Sequence, residues 1–157
     1  MESENTLVLT LNGGRVVISL RPDLAPNHVA RIKQLATEGF YDGSAFHRVI
    51  PGFMAQTGDP TGTGAGGSKL PDLKAEFSEE RHVRGTVSMA RKGHPDSANS
   101  QFFICFAEAP WLDRQYTVWG QVVEGMEHVD AIKKGGENNN GAISGAPDRI
   151  VSLRVGA

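Results

Sequence analysis

Two runs rich in aliphatic and β-branched residues, Leu7-Val8-Leu9-Thr10-Leu11 and Val16-Val17-Ile18-Ser19-Leu20, flank Asn12-Gly13-Gly14. Asn and Gly tolerate the positive φ that tight connections demand, so the pair predicts an antiparallel hairpin. The period then changes. From Pro26 to Glu38, Val29, Ile32, Leu35 and Ala36 fall on one helical face, with Pro26 suited to a first turn and Gly39 to an exit. A second helical pattern runs from about Met126 to Lys134, with Met126, Val129 and Ile132 spaced by three and Gly135 at its end. Between the two helices, short apolar runs (Phe53–Gln56, Thr86–Ala90, Gln101–Phe106 and Val118–Val123) alternate with glycine and proline. That spacing predicts a small β-barrel or sandwich, not repeated βαβ units. The final run, Ile150–Val155, alternates again and is predicted to pair with the first strand, closing the sheet and removing its edges. Gly135 to Gly145 reads as one long loop, and no linker divides residues 1–157, which are expected to form a single domain.

Composition narrows the setting. At 157 residues a chain can bury roughly 68–70% of its unfolded surface, and 39% hydrophobic with 22% charged residues matches a water-soluble globular protein. The net charge of −2 and the scattered basic residues offer no track for a phosphate backbone, so nucleic acid is not an expected partner. The acidic start, Met1-Glu2-Ser3-Glu4-Asn5, is the reverse of a basic leader, and no apolar run approaches the roughly 18 residues of a membrane span. A cytoplasmic protein that does not engage membranes is the expectation, and a monomer, since no long apolar stripe is left over. Cys105, the single cysteine, cannot form an internal disulfide; within Phe102-Phe103-Ile104-Cys105-Phe106 it reads as a small buried hydrophobe.

Most candidate chemistry fails on context. Gly62-Thr63-Gly64-Ala65-Gly66-Gly67 matches G-x-G-x-x-G formally, but Ser68-Lys69-Leu70-Pro71-Asp72 follows, and Pro71 opposes the helix a pyrophosphate would need. The stretch is expected to be a flexible surface loop. Five scattered histidines without ligand spacing predict no metal, and no other cofactor is expected; no Gly-x-Ser-x-Gly elbow marks a nucleophile. More informative is Phe46-His47-Arg48-Val49-Ile50-Pro51-Gly52-Phe53-Met54-Ala55-Gln56, where large apolar side chains sit beside hydrogen-bonding ones. An arginine on a half-buried strand either snorkels or pairs with an acid, or is aimed at an apolar cavity for a purpose. This segment alone leaves both readings open.

Taken with Ser88-Met89-Ala90, Asn99-Ser100-Gln101-Phe102-Phe103-Ile104 and Trp111-Leu112-Asp113, in that order and with similar gaps, the segment resembles the cyclophilins, in a bacterial-like, single-domain form. The resemblance spans almost the whole chain. It implies a mainly β fold, a closed eight-stranded antiparallel β-barrel capped by two α-helices with a peptide groove on its outer face. The implied activity is peptidyl-prolyl cis-trans isomerisation in support of protein folding. Arg48 would be catalytic; Phe53, Met54, Phe103 and Leu112 would line the proline pocket; Gln56, Gln101 and the backbone of Ala90 and Arg91 would hold the substrate chain. Trp111 matches the tryptophan associated with cyclosporin. Proline-containing peptides and unfolded or folding proteins are the implied partners, with cyclosporin as a ligand. Three positions depart from the best-known pattern: Tyr116 replaces a histidine, Arg91 an asparagine, and the loop between Asp59 and Lys69 differs in length and residues. Tyr116 keeps a ring and a donor. Arg91 is either a solvated surface arginine or a positive rim favouring acidic flanking residues. A non-catalytic proline-peptide binding module on the same fold is the rival reading, and retention of Arg48 with Phe53, Gln56 and Phe103 argues for the enzyme.

Overall fold

Alternation along the apolar runs decides which face of each strand meets the core. The computed structural model describes residues 3–136 and 140–156, and within them the runs become β1 (Thr6–Leu11), β2 (Gly14–Leu20), β3 (Arg48–Ile50), β4 (Met54–Thr57), β5 (Thr86–Met89), β6 (Phe102–Cys105), β7 (Val118–Glu124) and β8 (Ser152–Val155). Helix α1 (Pro26–Thr37) and the short α2 (Met126–Asp130) complete the regular elements, with single 3-10 turns at Ser3–Asn5 and Pro110–Leu112. The strands form one antiparallel sheet in the order β3-β4-β6-β5-β7-β2-β1-β8. The expected first hairpin is present, Leu11 opposite Gly14, and the terminal strand pairs with the first, Leu9 opposite Leu153.

The expectation of a fully closed barrel is corrected here. β3 and β8 are the outer strands and share no ladder. Their seam is stitched by irregular backbone instead: Gly43 N–H donates to Ile150 (2.8 Å), Phe46 N–H to Asp148 (2.9 Å) and Ile150 N–H to Ser44 (2.9 Å), around one isolated bridge, Ala45 opposite Arg149. The sheet is curled into a half-barrel, because the residues facing each other across the seam lie just before both strands begin.

Inward side chains fill the curl. Tyr41, Phe102 and Trp119 meet edge to face, each neighbouring pair with centroids 5.4 Å apart, and the buried Tyr41 hydroxyl donates to Ser100 O at 2.7 Å. Val29, Ile32, Leu35 and Ala36 of α1 close one end. α2 stops well short of Lys134. Beyond Ala131 the backbone donors turn outward: Lys133 N–H goes to Asp148 Oδ2 (2.7 Å) and Gly135 N–H to Val49 O (2.8 Å), while the Lys134 ammonium covers the carbonyls of Asp130 and Ile132. No helix among the described residues is long and apolar enough to cross a membrane.

Candidate active site

Strand register builds the site. Arg48 lies opposite Gln56, Gln56 opposite Phe103 and Phe103 opposite Ser88, so one row crosses β3, β4, β6 and β5. Side chains alternate in facing along a strand. Val49, Ala55, Phe102 and Ile104 therefore enter the main core, whereas Met54, Phe103 and Cys105 form a second apolar cluster on the outer face with Ala109 and Leu112. Ile50, Phe53, Ala90 and Tyr116 pack around it. Cys105 is the buried hydrophobe expected, and burial pushes its thiol up to about 12.

The cluster opens into a depression of about 100 Å³ lined by Phe53, Met54, Ala90, Phe103, Leu112 and Tyr116, with Arg48, Gln56 and Arg91 at its lip. Its floor is held from two sides. The Tyr116 ring meets Phe103 edge to face at 5.7 Å, and the buried His82 ring lies nearly parallel beneath it at 6.1 Å. His82 Nδ1 is 3.1 Å from Asp113 Oδ1, its Nε2 is 2.9 Å from Ser88 Oγ, and Ser88 Oγ is also 2.9 Å from Thr117 O. These are the distances of a Ser-His-Asp nucleophile, but Ser88 is 0% exposed. The chain braces the floor and presents no nucleophile to a substrate.

Arg48 is held in detail. Its Nε–H donates to Asn140 O (2.9 Å), Nη2 to Asn140 Oδ1 (2.9 Å) and Nη1 to Gln56 Oε1 (3.1 Å). Guanidinium carries five N–H groups, so each terminal nitrogen keeps one N–H beyond these three bonds. Desolvation lowers the pKa of Arg48, yet an arginine stays charged in proteins. The other arginine reading, a pairing with an acid, does not occur among the described residues.

From Gln56 the bonds continue in one direction. Gln56 Nε2 donates to Gln101 Oε1 at 2.9 Å, and Gln101 Nε2 to the carbonyls of Gly64 (3.0 Å) and Gly66 (2.8 Å). Those glycines belong to the loop expected to be flexible. It has an anchor instead: the Asp59 carboxylate, 1% exposed, accepts the N–H groups of Thr61 (2.8 Å), Thr63 (3.1 Å), Gly64 (2.6 Å) and Gly66 (3.1 Å). Burial works to raise the Asp59 carboxyl, but the bonds from Thr61, Gly66 and Gly64 outweigh it and hold it well below the usual carboxylate range. A Cβ on Gly66 would stand 2.2 Å from Asp59 Oδ1, so that position needs glycine.

This loop walls a second, polar depression of about 230 Å³ beside the first, lined by Gln101, Asn99, Ser97 and the loop backbone and sharing Gln56, Ala90 and Arg91 with the apolar one. The residues singled out in the sequence thus divide. Arg48, Phe53, Met54, Gln56, Ala90, Arg91, Phe103, Leu112 and Tyr116 converge on the apolar depression, and Gln101 faces the polar one. Trp111 lines neither. It is 62% exposed and leans on Phe53 with centroids 5.4 Å apart. Arg91 is not merely solvated: its Nε and Nη2 donate to Gln115 O (3.0 and 2.9 Å), its Nη1 to Lys92 O and Gly93 O, and its guanidinium lies 4.7 Å over the Tyr116 ring. Sequence reading missed Asn140, His82 and Asp59. Asp113, inside a quoted motif, was the nearest signal to His82. No group of three His, Cys, Asp or Glu suited to a metal occurs among the described residues.

Residues 6–155 match the family model described as cyclophilin type peptidyl-prolyl cis-trans isomerase/CLD. A probable peptidyl-prolyl cis-trans isomerase of Brucella suis biovar 1 (strain 1330) is 56% identical over 167 residues, covering 99% of this chain and 85% of the relative. The human peptidyl-prolyl cis-trans isomerase-like 3 is 41% identical over 133 residues, covering 82% of each. Among solved structures, a cyclophilin from Hirschia baltica superposes with a TM-score of 0.87 at 29% identity, covering 99% of this chain and 75% of that one. A cyclophilin-type isomerase from Cryptosporidium parvum, crystallised in the presence of the dipeptide Ala-Pro, gives 0.88 at 27% identity, covering 97% and 99%.

Proposed function

Because the chain belongs to the cyclophilin-type peptidyl-prolyl cis-trans isomerases, its reaction is rotation about X-Pro bonds, and we propose that Arg48 is the group that lowers the barrier. The X-Pro bond resists rotation by about 18–20 kcal/mol, because the amide carries partial double-bond character. At a 90° twist that resonance is lost. The prolyl nitrogen becomes pyramidal and regains a lone pair, and a guanidinium N–H beside it donates a hydrogen bond that the planar ground state cannot accept. An interaction made only at the twisted geometry is what accelerates the step.

The observation that carries this reading is the position of Arg48. It stands at the lip of the apolar depression, with one N–H on each terminal nitrogen left over from its bonds to Asn140 and Gln56. Met54, Phe103 and Leu112 hold the prolyl ring, and the amide chain from Gln56 to Gln101 bonds the peptide backbone, so one side of the bond is fixed while the other turns. Proline-containing peptides, including segments of folding proteins, are the substrates; the Cryptosporidium relative crystallised in the presence of Ala-Pro supports that class. A module that only bound proline would need the aromatic depression but no guanidinium at its lip.

One preorganised donor contributes about 2.7–4 kcal/mol, or roughly 10²–10³ in rate. Arg48→Ala is therefore expected to lower kcat/KM on an X-Pro peptide by at least tenfold (about 1.4 kcal/mol) with an unchanged melting temperature. A folded Arg48→Ala protein with wild-type activity would sink the mechanism.

A further inference from the structure

Arg48 owes most of its fixed geometry to one residue of the chain between α2 and β8. We propose that Asn140 is a positioning residue for isomerisation, an orienting clamp that holds the Arg48 guanidinium side-on; the inference rests on the reading of Arg48 as the group that meets the substrate.

Three observations meet at Asn140. Its backbone carbonyl and its side-chain Oδ1 both accept from the same guanidinium, at 2.9 Å each, and they take the adjacent Nε–H and Nη2–H. One residue thus supplies the two-oxygen face that usually comes from a carboxylate, but without a negative charge. Arg48 is oriented and keeps its full charge for the substrate side. Asn140 also has φ of 55°, one of only two non-glycine residues with positive φ among those described. Asparagine visits this left-handed region more readily than most side chains. Finally, the segment just after it is pinned to the Arg48 strand. Val49 N–H donates to Gly141 O at 2.8 Å, Ala142 forms an isolated bridge with Arg48, and a Cβ on Gly141 would stand 3.1 Å from Arg48 Cγ. The clamp therefore moves with β3, the strand that carries the group it holds.

An arginine has four side-chain torsions and, unheld, samples many rotamers. Gln56 alone fixes one end of the fork; Asn140 fixes the opposite edge and so sets the plane of the guanidinium. The expected signature is a loss in turnover, not in peptide binding, because the apolar depression and the amide chain are untouched.

Asn140→Gly keeps the positive φ and the backbone carbonyl and removes only Oδ1; Asn140→Asp keeps an oxygen in place. Both are compared with wild type by exchange NMR on an X-Pro peptide, by thermal melting, and by the 15N–1H signals of Arg48, in which Nη2–H reports the bond to Oδ1 and Nε–H the bond to the backbone carbonyl that both variants keep. For Asn140→Gly we expect kcat to fall by about three- to tenfold, KM to change less than twofold and the melting temperature to hold. The Arg48 Nη2–H signal should shift and exchange faster with water. Asn140→Asp should retain a protected Nη2–H. Wild-type kcat in Asn140→Gly overturns the proposal, whatever the Nη2–H signal does; so does a loss of activity with that signal unchanged, which would assign the loss to loop structure. If Arg48→Ala itself kept full activity, the catalytic reading would fail, while the Nη2–H signal would still report whether Asn140 holds the side chain.

Discussion

The two halves of the groove are built by opposite means. The apolar half is made of side chains fixed by strand register: Met54, Phe103 and Cys105 on adjacent strands, backed by His82 and edged by Tyr116. The polar half is made largely of backbone, a glycine loop wound around Asp59 and joined to the first half through the Gln101–Gln56 pair. A ladder cannot shift by a fraction of a residue, so the apolar half has its geometry set in steps. A loop around one carboxylate has its geometry set by a single side chain.

The largest expected break follows from that asymmetry. Asp59→Ala leaves the N–H groups of Thr61, Thr63, Gly64 and Gly66 without their acceptor and is expected to cost about 2–3 kcal/mol in denaturant unfolding. The same variant should raise KM while leaving the near-UV signal of the aromatic half in place. Equal collapse of both halves would show that the loop is not a separate unit.

Acid tests both halves together, since each rests on an imidazole shielded from water: buried His82 beneath Phe103, and half-buried His47 against Gly64. Desolvation lowers the pKa of both, and of the buried His28 in the first turn of α1, below the ordinary 6.5, against the opposing pull of Asp113, Asp59 and Glu76. The unfolded chain then binds more protons than the folded one as pH drops past 6.5. Stability is present above that pH and is lost as it falls toward the folded values. Melting temperature is expected to decline between pH 7 and 5 by roughly 2–4 °C for each kcal/mol lost, and a flat profile would contradict it. Activity of the folded enzyme should hardly respond on the alkaline side, because Arg48 stays charged.

The smallest effect sharpens the border between the halves. Arg91 spends its donors on Gln115, Lys92 and Gly93 and lies over Tyr116, so it acts as a brace for the pocket wall. Arg91→Ala should raise KM about two- to fivefold for neutral and acidic-flanked peptides alike, and Arg91→Lys should not restore it, since a single ammonium cannot reproduce the fork. A loss confined to acidic-flanked peptides would revive the positive rim.

What was legible in the sequence was whatever has a period or a local turn. The Asn12-Gly13 hairpin, α1 and the β1–β8 pairing all emerge from spacing alone. The row from Arg48 to Ser88 does not, because it is a relation between strands, fixed by registers that no single segment encodes. The resemblance to a known family brought those residues together where periodicity could not. Asp59 and Asn140 stayed hidden for another reason. Each is one polar residue beside glycines, a composition that reads as loop, and its partners become visible only when N–H groups or a guanidinium converge on it. α2 was overextended because Ile132 keeps the helical spacing and is buried, while the backbone there already serves the sheet seam.

The open seam has a consequence for how such a protein can change. An inserted or deleted residue within a strand flips every side chain beyond it to the other face, and the site row would be lost at once. Across the seam no ladder exists to be thrown out of step. Additions and deletions in the chain between Ala142 and Asp148 would be absorbed outside the ladders while the eight strands keep their partners and Gly141 and Ala142 stay pinned to β3. Length variation at that place is thus open to drift or design without throwing the site row out of register.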